Sequence, residues 1–209
     1  MKKNPETKEV RRLTTELQKI QQVALDSNLI IIPKNKVSQQ IVTKDIQQEI
    51  NPVEKVIKLL RSDWFDSVRG YFRNHRPNSP YSKIEDEYHV QDLIYCLILS
   101  IIPDLQYEDP QYKNRGALTS TRIDFYSLQE KLFLEVKFAN NSHTAKKVES
   151  EISEDLVKYG RHDRFSTLIF FVYCADDYTF PSPREFERGF TSPQTISGHS
   201  FYSYCIVKP

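Results

Sequence analysis

Apolar residues along the chain recur with two periods, and the alternation between them outlines a mixed α/β protein. Over 6–27, Val10, Leu13, Leu17, Ile20 and Val23 return every three or four positions with Lys and Glu between them, which predicts an amphipathic helix. LIIIPK at 29–34 reads as a short β-like run closed by Pro33, and the polar, Gln-rich stretch 34–51 as a linker. Val56, Leu59, Leu60 and Trp64 predict a second helix over 53–72, and Pro77 and Pro80 in RPNSPYS then break the chain. A helix is expected over 85–102, with Val90, Leu93, Ile94, Leu97, Ile98 and Ile101 on one face and Pro103 as its stop. Two strands joined by a short turn at 128–130 are expected over 121–127 and 131–139.

A helix over 144–159 presents Val148, Ile152, Leu156 and Tyr159. TLIFFVY at 167–173 is almost wholly apolar, as in a strand covered on both faces. Pro181 and Pro183 mark a loop, and 201–207 reads as a last strand. The expected plan is an N-terminal helical extension and linker over 1–52 and an α/β domain over 53–209.

Composition narrows the class. With 39% hydrophobic and 27% charged residues, the 209-residue chain can build a sizeable core. No apolar run is long enough for a bilayer, and MKKNPETKEV lacks the apolar core of a signal peptide, so a cytoplasmic protein without a membrane partner is expected. Cys96, Cys174 and Cys205 lie far apart without a CxxC, which disfavours a disulfide framework and structural zinc. Five scattered histidines show no zinc spacing, and five glycines form no phosphate loop, which argues against a built-in NTPase. Residues 1–76 carry 15 Lys+Arg against 9 Asp+Glu, and residues 77–209 carry 14 against 19. That asymmetry fits nucleic acid held against a carboxylate-lined, cation-filled site, but charge alone is explained better by ordinary solvated surfaces.

The chemistry concentrates in RIDFYSLQEKLFLEVKF, residues 122–138. Side chains alternate along a strand, so Phe133, Glu135 and Lys137 share one face and Leu132, Leu134 and Val136 the other. A hairpin through 128–130 brings Asp124 opposite Glu135 and Lys137. Two converging carboxylates make a hard oxygen site suited to Mg²⁺ or Mn²⁺, and a neighbouring lysine can position a metal-activated water and stabilise charge on a phosphate. A Glu-x-Lys pair alone is more often a solvated strand face; the preceding Asp and the flanking helices favour a phosphodiester-hydrolysing site.

Asp124 followed by Glu135-Val136-Lys137 resembles the PD-(D/E)XK nuclease superfamily, with Ile123 where that pattern often has Pro. EYHVQDLIYCLI (87–98), STRIDF, LEVKF, EDLVKY and FFVYCADD more specifically resemble the nuclease domain of DpnII/MboI-type restriction endonucleases, from about Val53 to the final strand. The resemblance implies a restriction-endonuclease-like core, a mixed central sheet flanked by helices. It implies Mg²⁺, with Mn²⁺ as a substitute, held by Asp124, Glu135 and the backbone carbonyl of Val136. Lys137 would be the catalytic lysine. Glu87 would complete the acidic cluster or hold a second ion, and Gln91 would orient a water or Lys137. Arg122 would contact a nucleic-acid phosphate, with a surface ion pair an equal alternative. Asp155 and Tyr159 would support the site or touch DNA, packing being the simpler role for Tyr159.

The function expected is a Mg-dependent endodeoxyribonuclease of bacterial restriction or another anti-phage defence. DNA is the expected partner, with a homodimer because duplex cutting needs two sites, and room for a defence-system partner protein. Two alternatives remain: a partner-activated nuclease effector acting on RNA or DNA, and a catalytically silent nucleic-acid-binding subunit on the same fold. Intact Asp124, Glu135 and Lys137 speak against the silent form.

Overall fold

The computed structural model of the chain describes residues 51–107 and 123–208. The helix over 6–27, the β-like run and nearly all of the linker lie outside the described residues, as does Arg122. In chain order the elements are α1 (Pro52–Arg61), α2 (Trp64–His75), a short 3-10 turn (Pro80–Ser82), α3 (Glu87–Ile98), β1 (Gln106–Tyr107), β2 (Phe125–Ser127), β3 (Leu132–Ala139), α4 (Ala145–Tyr159), β4 (Thr167–Cys174), α5 (Pro183–Phe190), β5 (Ser192–Ile196) and β6 (His199–Lys208). The strands form one sheet in the order β1-β2-β3-β4-β6-β5. Its centre, β3-β4-β6, is parallel, and β1, β2 and β5 add antiparallel edges. This is the α/β architecture expected of a restriction-endonuclease-like core.

Parallel neighbours require crossover connections, and α4 supplies the one between β3 and β4. Its apolar stripe Ala145, Val148, Ile152 and Tyr159 packs on the sheet face formed by Phe133, Phe170, Val172 and Cys205. On the opposite face, Phe65 of α2 meets the rings of Phe171 and Tyr173. With helices on both sides, every residue of β3 is buried, including Glu135 and Lys137. A strand buried on both faces must therefore find partners for two charged side chains.

Several boundaries differ from the sequence pattern. The helix expected over 53–72 is two helices, because Ser62 leaves helical geometry and its hydroxyl bonds the Leu59 carbonyl at 2.7 Å. Short hydroxyl side chains compete with the helical backbone in this way. The helix expected over 85–102 runs only from Glu87 to Ile98; Asp86 caps it by accepting from the His89 N–H at 2.9 Å, and tight turns carry the chain from Ile98 toward Pro103. The segment read as a proline loop contains α5, with Pro183 in its first turn, where its missing N–H costs nothing. β5 and β6 form a hairpin around Ser197 and Gly198, both at positive φ, which is the backbone of a type I′ turn.

Gly160, at the end of α4, lies against β5. A Cβ there would meet Ile196 Cβ and Cδ1 and the Leu156 carbonyl, each at 2.8 Å. Gly160→Ala must displace a strand or the end of the helix, and overpacking of this kind costs about 1–3 kcal/mol. Thermal melting should show a Tm lower by roughly 2–8 °C; an unchanged Tm would place β5 away from α4.

Candidate active site

The site forms where β2 diverges from β3. The antiparallel ladder runs Ser127–Leu132, Tyr126–Phe133 and Phe125–Leu134, so the next position sets Asp124 across from Glu135. Asp124 Oδ2 accepts the Val136 N–H at 2.7 Å, in place of a further strand partner. The Asp124 N–H in turn points at Glu135 Oε2, 3.4 Å away. A strand residue directs its N–H and C=O to the same neighbour, so the Val136 carbonyl also faces the Asp124 side. Asp104 anchors the turn from behind, accepting from the Ser127 hydroxyl at 2.8 Å and the Gln129 N–H at 3.2 Å.

Helix α4 closes the site from one face. Lys137 Nζ lies 2.9 Å from Glu135 Oε1 and 2.8 Å from Asp155 Oδ2. The Tyr159 hydroxyl, one turn after Asp155, donates to Glu135 Oε2 at 3.0 Å. Packing was the simpler role for Tyr159; the structure adds a hydrogen bond to a site carboxylate. Asp155 is tied into the site as the second partner of Lys137. The i, i+4 spacing of the two was visible in the sequence, but the atoms they reach depend on how α4 lies across the sheet.

Helix α3 contributes Glu87 from its first turn. Gln91 Nε2 donates to Glu87 Oε1 at 3.2 Å, and Gln91 Oε1 accepts from the Tyr107 hydroxyl at 3.0 Å. Gln91 therefore orients Glu87; its described hydrogen bonds are to Glu87 and Tyr107. Tyr107 had no signal in the sequence, because β1 is only two residues long.

Electrostatically the site holds more negative charge than it neutralises. Glu87, Asp124, Glu135 and Asp155 surround one buried lysine. Burial by itself would lower the Lys137 pKa, but Glu135 and Asp155 outweigh it and raise the pKa, so the ammonium stays charged. Burial pushes the Glu135 carboxyl up, yet each of its partners is a donor, leaving no acceptor for a carboxylic proton. Burial, then the Glu135 carboxylate, raises Asp124 to about 8, against the pull of the Val136 N–H. Burial also raises Glu87 to about 7, with Lys137 opposing and Glu135, Glu151 and Asp155 adding to the rise. Burial first, and neighbouring carboxylates second, thus push both carboxyls up toward neutral pH.

Among the described residues, no group of three or more His, Cys, Asp or Glu side chains forms a ready-made metal cage. The donors are nonetheless hard oxygens with uncompensated charge, which is the chemistry Mg²⁺ or Mn²⁺ accepts. A divalent cation replacing the protons on Asp124 and Glu87 would relieve the cost their burial imposes.

Among the described residues, no helix is long and apolar enough to cross a membrane. Comparison with curated proteins and with solved structures gives no match. The family model for the DpnII-MboI restriction endonucleases (REase_DpnII-MboI) matches residues 54–202, a span that begins in the first turn of α1, reaches into β6 and includes all of the site described above. The chain belongs to the DpnII-MboI restriction endonuclease family, which makes it an endonuclease with DNA as its substrate.

Proposed function

We propose that the chain is a divalent-metal-dependent DNA endonuclease that hydrolyses phosphodiester bonds in bacterial restriction or another anti-phage defence. The observation that carries this reading is the placement of Asp124 against Glu135 and Val136, with Lys137 clamped beside them. Asp124, Glu135, the Val136 carbonyl and Glu87 would hold Mg²⁺, or Mn²⁺ in its place. When bound, the ion supplies Lewis-acid stabilisation of the phosphate and a water of lowered pKa.

The chain's own residues do the remaining work. Lys137, held charged, donates to a phosphate oxygen or to the attacking water and offsets the negative charge that grows in the transition state. Its raised pKa makes it a poor base, so its part is positioning and electrostatics. Asp155 and Tyr159 hold the lysine and Glu135 in place, and Gln91 holds Glu87. Water attacks phosphorus, the P–O bond to the leaving strand breaks, and no covalent enzyme intermediate forms. Two strands present two scissile phosphates, so a pair of chains is the arrangement this reading favours for duplex cutting.

Cleavage of duplex DNA by substituted chains tests the assignment. Asp124→Asn should lower cleavage on the order of 100-fold or more by removing a charged ligand from the site. Its metal-free stability at pH 8 should equal or exceed that of the parent, because one of several mutually repelling carboxylates is gone. Lys137→Ala should lose both properties, since breaking a buried pair costs about 3–5 kcal/mol. Undiminished cleavage by Asp124→Asn would remove Asp124 from the site.

Linkage supplies a second test. A carboxyl whose folded pKa is raised contributes stability below its unfolded pKa and loses it as pH rises through the folded value. Relative to Asp124→Asn, the metal-free parent should therefore lose stability between about pH 4 and pH 8. Added Mg²⁺ should restore that loss, and its binding should tighten as pH rises through about 7 and 8, with proton release. Denaturant midpoints and titration calorimetry measure both; parallel pH curves for the two chains would contradict the reading.

A further inference from the structure

Beside the active site lies a cavity of about 630 Å³ that the hydrolytic chemistry leaves unused. It opens at the C-terminal edge of the parallel strands β3 and β4, where open α/β sheets hold their ligands. Phe138 and Ile84 supply apolar lining, Asn141, Asp176 and Asp177 supply polar groups, and Lys83 and Glu85 add an exposed ion pair at 3.2 Å. Glu85 lines the cavity two residues before Glu87 opens α3, and Phe138 lines it one residue after Lys137 but on the opposite sheet face, stacked on Tyr173 at 6.0 Å, so the cavity flanks the site from that face.

The polar groups are preset. Asn140 Oδ1 accepts from the Ser142 N–H and hydroxyl, each at 2.9 Å, and from the His143 N–H at 2.7 Å, which fixes the loop after β3. Asn141 Nδ2 donates to the Asp177 carbonyl at 3.4 Å and to Asp177 Oδ2 at 3.2 Å, joining that loop to the one after β4. Asp176 is already engaged, by Arg69 at 2.6 Å and Arg73 at 3.0 Å. Asp177 is met by an amide, and both it and Asn141 are exposed.

This chemistry selects among the parts of a DNA duplex. Lys83 is offset by Glu85, so the Asp177 carboxylate at the rim repels a phosphate, but it accepts a hydrogen bond from the exocyclic amino group of adenine or cytosine. An asparagine amide offers a donor and an acceptor, the pair that a base edge presents in the major groove. An apolar, partly aromatic lining suits the flat face of a base.

We propose that this cavity reads a base edge beside the scissile phosphate, with Asn141 and Asp177 as specificity-determining residues and an exocyclic amino group as their ligand. The assignment rests on the DNA nuclease reading above and adds to it where sequence is discriminated.

The test is the sequence preference of binding, measured by selection from a randomised duplex library. The Asp124→Asn chain is compared with the same chain carrying Asn141→Ala, Asp177→Ala or Asp177→Asn. Both positions are exposed, so melting temperatures should match. Discrimination at one base pair should fall about 10-fold or more in the alanine variants. Asp177→Asn, which adds a donor, should change the preferred base there. The salt dependence of binding should stay constant, because no phosphate contact is lost. An unchanged preference, a uniform fall across all sequences, or no preference in the Asp124→Asn chain would each overturn the assignment. Cleavage of the same DNA by the unsubstituted chain separates the two claims. Cutting with an unaltered library profile defeats the cavity alone; a flattened profile without any cutting defeats the nuclease reading and leaves the cavity standing.

Discussion

Lys137 sits between Glu135 and Asp155 at 2.9 and 2.8 Å, inside a strand covered on both faces, and the rest of the site is organised around that clamp. A lone ammonium there would be costly to bury, and so would either carboxylate. Strand β3 supplies one acidic partner two residues before the lysine, and the crossover helix supplies the other. The β3-α4-β4 unit therefore fixes both the topology of the parallel sheet and the position of the charged side chains. Because α4 packs on the sheet through Val148 and Ile152, Asp155 and Tyr159 can reach Lys137 and Glu135 only when the hydrophobic layer is correctly seated.

Lys137, with Lys158 3.6 Å from Asp155, does not balance the four surrounding carboxylates. Asp124, brought in where β2 leaves the ladder, and Glu87, from the start of α3, add charge that protons take up near neutral pH. The fold thus holds carboxyls together at the expense of their ionisation, and the proposed cation is what removes that expense. Cleavage chemistry, pH-dependent stability and metal affinity then follow from the same set of buried charges. A site with buried carboxyls crowded in this way is less stable than the surrounding core could make it, a common cost of functional groups held against their electrostatic preference.

Much of this was legible in the chain, for physical reasons that differ by element. The strand pair, α4 and β4 follow from side-chain periodicity, and the alternation in LEVKF alone places Glu135 and Lys137 on one face. The opposition of Asp124 to Glu135 also follows, because a short hairpin leaves little freedom of register. The break between α1 and α2 did not, since it depends on one serine hydroxyl competing with the backbone. Helix α5 is masked in the sequence by Pro181 and Pro183, although proline is at home in a first helical turn, and the β5-β6 hairpin is signalled only by the dipeptide Ser197-Gly198. The hydrogen bond from Tyr159 to Glu135 and the link from Tyr107 to Gln91 depend on how distant elements pack, which no local pattern specifies. Arg122, expected at a phosphate, lies outside the described residues.

The central claim is that this carboxylate-rich edge cuts DNA by holding a divalent cation. The direct measurement is cleavage of duplex DNA by the intact chain as Mg²⁺ is titrated in from an excess of chelator. The account predicts no cutting in chelator, discrete fragments that appear with Mg²⁺ or Mn²⁺, and a metal requirement that eases as pH rises from 6 to 8. Cutting at the same rate in chelator, or no cutting of DNA at any metal concentration, would contradict it.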